Sequence, residues 1–260
     1  ERPEGELNYT ARLESLLTER TGRPAEALNW SIPGGKIPEM TVLAARAGAH
    51  DPSDIVLVTY TENLVGESMS QRLSFGISDA PLLTAIPEVR GFLSDEFHRR
   101  YDVGNVAPYT SVHTGYGALR WRTVESADED WYWRTKEPDL DLSTLEKTVD
   151  PWDDDSSWAI REFALTARRA APNATIHIIE MPLPQPAWTP EAWAIHQQMA
   201  TNARAALDGI DNVYVHDALT LIPPDEFYTH THFRAEGHET FARWLADLLL
   251  GAGLDTGSAG

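Results

Sequence analysis

Apolar and polar residues recur along the chain with two different periods, and these periods predict the order of helices and strands. Apolar positions at helical spacing predict helices at Tyr9–Arg20, Ile37–Ala49, around Ile86–Tyr101, and at Asp154–Ala171, Glu191–Leu207 and Ala235–Leu250. Short apolar runs bounded by turn residues predict strands at Ala25–Ile32, Asp54–Tyr60, Thr175–Glu180 and Asn212–His216. The run DIVLVTY at residues 54–60 is the clearest of these strands, because it is continuous and β-branched.

Helices and strands alternate, which predicts an α/β fold with a mainly parallel sheet and helices on both faces. Right-handed crossovers then bring the carboxyl ends of all strands to one edge, where ligands bind in such sheets. No internal repeat or linker divides the chain, so residues 1–260 are interpreted as one domain. The pattern loosens at about residues 65–150, which predicts an insertion or lid there.

Composition narrows the classes of function. Hydrophobic residues make up 42% of the chain, enough for a sizeable core, and the net charge of -19 argues against nucleic acid and anionic membranes. The absence of cysteine excludes disulfides, thiolate catalysis and cysteine-bound zinc. No apolar run has the length of a membrane span and no signal peptide is seen. No cofactor is predicted, and the sequence predicts neither a compartment nor an oligomeric state.

Three polar segments follow strands or lie where a strand would end, so they are expected to meet at one edge of the sheet. They are Asn29–Gly35 (NWSIPGG), Thr61–Leu64 (TENL) and Thr229–His238 (THTHFRAEGH). Their order and spacing resemble the sequence blocks of the SGNH/GDSL hydrolase superfamily. The resemblance covers most of the chain outside residues 64–151, and it implies a flavodoxin-like three-layer α/β/α sandwich that lacks its first strand.

The resemblance also implies roles for individual residues. It assigns His232 as the general base for a serine hydroxyl, with the side-chain amide of Asn63 and the backbone N–H of Ser31 as oxyanion donors. The family's G-D-S block, which carries the nucleophile, is expected upstream of the first helix and is not found there. Ser68, in Gly66-Glu67-Ser68, is a second candidate nucleophile, although it lies far from the end of the preceding strand.

Several positions depart from the family pattern. Ser31 and Thr61 stand where glycines are usual, and Thr229 stands where an aspartate usually orients the histidine. Three explanations are open for Thr229: Asp225 or Glu226 substitutes for the aspartate, a Ser–His dyad operates, or activity has been lost. The three histidines at 230, 232 and 238 have no carboxylate at a useful spacing, so no metal site is predicted.

The expected function is therefore a serine ester hydrolase, of esterase, lipase or carbohydrate deacetylase type, which works through an acyl-enzyme. Its expected partner is a small-molecule or carbohydrate ester. A polysaccharide O-acetyltransferase and a catalytically impaired SGNH-like binding protein are the alternatives. Because the family's first strand is central, these residues alone are expected to form a sheet in which a central position is vacant or substituted.

Overall fold

The computed structural model describes residues 9–29, 36–64, 88–101 and 141–251, with only the backbone described for Asn63 and Tyr101. Its strands are β1 (Asp54–Thr59), β2 (Thr175–Glu180) and β3 (Val213–Asp217). Its α-helices are α1 (Tyr9–Thr21), α2 (Ile37–Ala47), α3 (Asp95–Tyr101), α4 (Asp154–Ala170), α5 (Pro190–His196), α6 (Met199–Ala206) and α7 (Ala235–Leu249).

The three strands form a parallel sheet in the order β1-β2-β3. The register places Thr59, Glu180 and Asp217 side by side at its carboxyl edge. Since side chains alternate between the faces of a strand, these three residues share a face with the apolar Ile55 and Ile178. The fold is therefore mixed α/β with parallel strands, as the sequence predicts.

Apolar residues cover both faces of the sheet. On one face, Ile55 and Ile178 pack with residues of α2, α4 and α6, including the fully buried Ile160. On the other face, Val58 and Ile179 pack with residues of α1 and α7. Each of these five helices thus buries its apolar stripe against the sheet, which is the main source of its stability.

Most predicted elements are confirmed, and the differences have local causes. The predicted strand Ala25–Ile32 is wrong over residues 25–29, which are irregular, and residues 30–32 lie outside the described part. The backbone N–H groups of Ala25 and Ala27 donate to the side chains of Thr18 and Glu14 on α1, so they are not available to a strand.

Two predicted helices are also divided. The helix predicted at Glu191–Leu207 is interrupted after His196 and becomes α5 and α6. The helix predicted around Ile86–Tyr101 contains a 3-10 turn at Arg90–Phe92 before α3 begins. The Ser94 hydroxyl accepts a hydrogen bond from the Phe97 N–H, which caps the start of α3 and separates it from the turn.

The free edge of β1 borders a groove of about 520 Å³. Within the described ranges, no strand pairs with this edge of β1. Residues of both helical layers, of β1 itself and of the irregular stretch after α1 contribute to its lining, among them Leu13, Leu17, Leu28, Met40, Leu43, Val56, Val58 and Leu245. The groove therefore lies beside β1 in the plane of the sheet, between the two helical layers.

Helix α1 runs parallel to α7. Arg12 forms an ion pair with Glu239, and Arg20 forms one with Asp247. Since the residue number rises in both helices from the first pair to the second, the two helices point in the same direction. Helix α7 begins directly after the loop that follows β3, at the carboxyl edge of the sheet. The chain consequently enters α1 from the carboxyl edge.

Gly48 allows α2 and α4 to approach closely. A Cβ atom at this position would lie 2.3 Å from the carbonyl oxygen of Ala170, a backbone atom that a rotamer change cannot move. We expect Gly48→Ala to lower the free energy of unfolding by about 1–3 kcal/mol through overpacking. Urea unfolding measures this change. Gly91→Ala is the control, because a Cβ atom there meets nothing within 4 Å; an equal loss in both variants would contradict the explanation.

Candidate functional site at the carboxyl edge of the sheet

Loops that follow the three strands form the candidate site. After β1 comes a 3-10 turn, Thr61–Asn63, which contains the predicted Asn63. After β2 comes a loop with a short 3-10 helix, Gln185–Ala187, that leads into α5. After β3 comes the segment 218–234 with the predicted His232. Because the strands are parallel, all three loops leave the sheet at the same edge.

His196 contacts the turn after β1. Its Nδ1 atom lies 3.3 Å from the Thr61 hydroxyl, and both residues are buried, at 0% and 4% exposed. His196 is the last residue of α5, a helix that Thr189 caps by accepting a hydrogen bond from the Ala192 N–H. Burial lowers the pKa of His196 to about 4, so its ring is neutral at neutral pH.

Trp188 connects His196 to the loop after β3. Its ring packs edge-on against His196, with 4.4 Å between ring centroids, and against His230, with 5.9 Å. Desolvation, with smaller contributions from Lys147 and His232, lowers the pKa of His230 to about 4. One buried aromatic pair therefore connects the two loops: His196 contacts the Thr61–Asn63 turn, and Trp188 contacts the Thr229–His232 loop.

The His232 ring is positioned by its own loop. Its Nδ1 atom lies 2.6 Å from the Thr229 hydroxyl and 3.4 Å from the Thr231 hydroxyl, and its ring stacks on Tyr228. Partial desolvation lowers the pKa of His232, although the residue is exposed to solvent. Among the described residues no hydrogen bond involves Nε2, so this atom is available to a group that enters the site.

Thr229 holds His232 in a different way from an aspartate. The Thr229 hydroxyl oxygen accepts hydrogen bonds from the backbone N–H groups of Thr231 and His232, at 3.3 and 3.1 Å. With both lone pairs engaged, its proton is directed at Nδ1 of His232. That arrangement favours the tautomer with the proton on Nε2, whereas a general base needs a lone pair there.

The two carboxylates proposed as substitutes for the aspartate lie elsewhere in the loop. Asp225 and Glu226 belong to the 3-10 turn Pro224–Glu226, where Asp225 is exposed. The Glu226 carboxylate accepts a hydrogen bond from the Thr240 hydroxyl of α7, at 3.1 Å. Within the described segments the Nδ1 partners of His232 are the two threonine hydroxyls, and no hydrogen bond joins His232 to either carboxylate.

Three predicted site groups cannot be placed. Ser31 and Ser68 lie outside the described residues, and of Asn63 only the backbone is described. The structure therefore brings the backbone of Asn63 and the side chain of His232 to one edge of the sheet. It also places Thr229 in contact with His232.

A polar cleft of about 360 Å³ adjoins the Thr61–Asn63 turn. Lys36, Thr61 and Glu62 line it from the side of α2 and β1, and residues 148–151 line it from the opposite side. The Lys36 ammonium group donates a hydrogen bond to the backbone carbonyl of Glu62, which ties the turn to the start of α2. A cleft of this size, lined by the Lys36 and Glu62 side chains beside the Thr61–Asn63 turn, can hold a small polar ligand.

Sequence reasoning missed Trp188 and His196. Both lie after β2, in a segment that matched none of the family blocks, so neither was a candidate. Their position was nevertheless a signal, because residues after a parallel strand share the edge at which ligands bind.

Glu180 is a second group that the sequence did not single out. It is 1% exposed, and neither carboxylate oxygen has a hydrogen-bond partner of good geometry in the described part of the chain. Burial, followed by the negative charge of Asp217, raises the pKa of Glu180 to about 8. Glu180 is therefore largely protonated at neutral pH, beneath the loops of the site.

Another titratable cluster lies on the face of the sheet opposite Glu180. His177 connects Asp54 and His216: its Nε2 atom lies 3.2 Å from the Asp54 carboxylate, and its Nδ1 atom 3.1 Å from Nε2 of His216. Burial, followed by the charges of His177 and Arg204, lowers the pKa of His216 to about 4. The Asp54 end of this chain of contacts lies at the start of β1, opposite the loops of the site.

Two kinds of feature are absent from the described ranges. They contain no group of three or more His, Cys, Asp or Glu side chains arranged to hold a metal ion. They also contain no helix with the length and apolar character needed to cross a membrane. In comparisons with known proteins, no family model, curated protein or solved structure matches the chain.

Proposed function

We propose that the chain is the greater part of a serine ester hydrolase domain of the SGNH type, with the three-layer architecture of that superfamily. The observation that carries the proposal is the convergence of two sequence blocks, TENL and THTH, at one edge of a parallel sheet. They are separated by more than 150 positions in the chain, yet His196 and Trp188 link Thr61 to His230 through direct contacts.

The groove beside β1 supports the same proposal. A strand placed there parallel to β1 would pair with its free edge and bury the apolar lining from both layers. It would end at the carboxyl edge, where the chain enters α1. We propose that this position belongs to a strand that precedes α1 in the polypeptide and that delivers a nucleophilic serine beside His232.

In this arrangement each group has a chemical role. The serine hydroxyl attacks the ester carbonyl, and His232 Nε2 accepts its proton and later returns it to the leaving alcohol. The Asn63 amide and the Ser31 backbone N–H donate to the oxyanion of the tetrahedral intermediate, where a single donor contributes about 3–4 kcal/mol. Water then hydrolyses the acyl-enzyme, with His232 again as the base.

One observation favours a second candidate, a binding protein that retains the site without its activity. The hydroxyl of Thr229 favours the Nε2-protonated tautomer of His232, which cannot accept a proton from serine. Such a site would still hold a polar ester or carbohydrate in the cleft beside Lys36 and Glu62.

Hydrolysis of p-nitrophenyl acetate tests the proposal on the polypeptide extended upstream in its gene. We expect turnover, and we expect His232→Ala to lower kcat/KM by about 10²–10⁴-fold, the usual contribution of a general base. His98→Ala is the matched control: its Nε2 contacts the Arg90 carbonyl beside α3, and activity should be unchanged. An upstream sequence without a serine after a strand, or full activity in His232→Ala, would exclude the mechanism.

A further inference from the structure

The segment after β2 contains two buried side chains, Trp188 and His196, each with a polar nitrogen that packing in the core does not require. Trp188 is 6% exposed and His196 is fully buried. Neither Nε1 of Trp188 nor Nε2 of His196 has a hydrogen-bond partner in the described part of the protein. Burying an unpartnered polar group costs free energy, so an apolar pair would suit a purely structural position better.

We infer that His196 is a positioning residue, which holds the Thr61–Asn63 turn at a fixed distance from the Thr229–His232 loop. It does so by the hydrogen bond between its Nδ1 and the Thr61 hydroxyl, and by packing against Trp188, which in turn packs against His230. The inference rests on the proposed function, in which Asn63 and His232 act on one substrate. It adds a residue from an element that contributes none of the recognised blocks.

The unpartnered Nε2 atom indicates the tautomer of His196. A buried N–H group without a partner is rarer than a buried acceptor without one. The proton therefore belongs on Nδ1, where it is donated to the Thr61 hydroxyl oxygen. Because burial keeps the ring neutral, this hydrogen bond persists across the neutral pH range.

Opening of the Thr61–Asn63 turn can be measured directly at the backbone amide of Leu64. The Leu64 N–H donates to the Thr61 carbonyl at 3.2 Å, and Leu64 is fully buried. The turn is held from one side by the Lys36 ammonium group, through the Glu62 carbonyl, and from the other by His196. Loosening the His196 contact should therefore increase opening of the turn and accelerate hydrogen exchange at the Leu64 amide.

Two pairs of variants test the inference on the chain as it stands. Thr61→Val removes the hydroxyl without changing the shape, and Thr61→Ser retains it. His196→Leu removes Nδ1, whereas His196→Asn places an amide nitrogen near its position. We expect exchange of the Leu64 amide to accelerate about 3- to 10-fold in the first member of each pair, equivalent to one net hydrogen bond, and to return towards wild type in the second.

The amide of Ile178 in β2 distinguishes local from global opening, because it should not change in Thr61→Val. Imidazole ¹⁵N shifts should identify His196 as protonated on Nδ1, with a change at this nitrogen in Thr61→Val. If His196→Leu fails to fold, the threonine pair decides the matter. Unchanged exchange at Leu64 in Thr61→Val, or a wild-type ring protonated on Nε2, would overturn the inference.

Kinetic measurements on the Thr61 variants distinguish failure of this inference from failure of the proposed function. In the extended polypeptide, Thr61→Val should lower kcat with little change in KM, since an oxyanion donor acts mainly in the transition state. Absence of hydrolysis, together with the expected response at Leu64, would remove the hydrolase proposal and leave the contact in place. Hydrolysis with equal kcat in Thr61→Val and Thr61→Ser would retain the hydrolase and remove the positioning role.

Discussion

Glu180→Gln is expected to remove a pH-dependent cost to folding of on the order of 3 kcal/mol at pH 7. Folding moves the Glu180 carboxyl into the protein, where burial and the neighbouring Asp217 raise its pKa from 4.5 to about 8. At pH 7 the folded protein must therefore keep a proton that the unfolded chain would release. Glutamine has nearly the same shape and no titratable proton, so the pH-dependent part of this cost disappears, whereas the cost of burying its amide group does not depend on pH.

The pH dependence of the effect follows from the same shift. A carboxyl group whose pKa is raised by folding contributes less to stability as the pH rises from 4.5 towards 8, since only the unfolded chain releases its proton in that range. The advantage of Glu180→Gln should be small near pH 4.5, grow across this window, and level off above pH 8 at about 5 kcal/mol.

Urea unfolding at pH 5.0, 7.0 and 8.5 measures this profile. Glu162→Gln is the matched control, because Glu162 is also buried but accepts hydrogen bonds from Ser94, Thr166 and Arg169. Removing its charge should destabilise the protein, since charge-assisted hydrogen bonds are lost. A Glu180→Gln variant that is no more stable at pH 8.5 than at pH 5.0, relative to wild type, would contradict the burial argument.

The sequence correctly predicts the elements whose signals are local to the element itself. The strand Thr175–Glu180 and the start of the helix at Asp154 match the structure, because a β-branched run and a run of aspartates at a helix start are local signals. Asp153 caps this helix by accepting a hydrogen bond from the Ser156 N–H.

The errors arise where a distant partner decides the local structure. Residues 25–29 belong to a predicted strand, yet the N–H groups of Ala25 and Ala27 donate to side chains of α1 beside the groove that borders β1. A pattern along the chain cannot report that side chains of a neighbouring helix accept these hydrogen bonds. The same holds for His196: its contact with Thr61 joins residues 135 positions apart, and no local motif marks it.

The sequence predicts which loops meet at the candidate site, but it does not predict which ring nitrogen of His232 carries the proton. That Asn63 and His232 should lie at one edge followed from parallel strands and from the order of the sequence blocks. How Thr229 orients His232 did not follow, since it depends on whether the threonine oxygen is already engaged by backbone N–H groups. In the structure it is engaged by two of them, and this places the hydroxyl proton towards the ring.

Thr229→Asp is therefore expected to make His232 a stronger base than it is in the wild-type protein. Aspartate can accept the same N–H groups of Thr231 and His232 in an Asx-type turn, and its second oxygen can accept a proton from Nδ1. The carboxylate should raise the pKa of His232 by about 1–3 units and leave a lone pair on Nε2. NMR titration of the His232 ring in this chain measures both the pKa and the tautomer.

The isosteric Thr229→Asn variant separates charge from shape. It can make the same turn, but without a negative charge it should leave the pKa of His232 low. In the extended polypeptide, Thr229→Asp should raise kcat/KM for p-nitrophenyl acetate by at least about 10-fold over Thr229→Asn, because loss of the orienting carboxylate in a Ser-His-Asp triad costs up to about 10⁴. Equal pKa values for His232 in the two variants would mean that the carboxylate does not reach Nδ1. Equal rates with a raised pKa would mean that proton transfer to His232 does not limit the reaction, and the hydrolase would then operate as a Ser–His dyad.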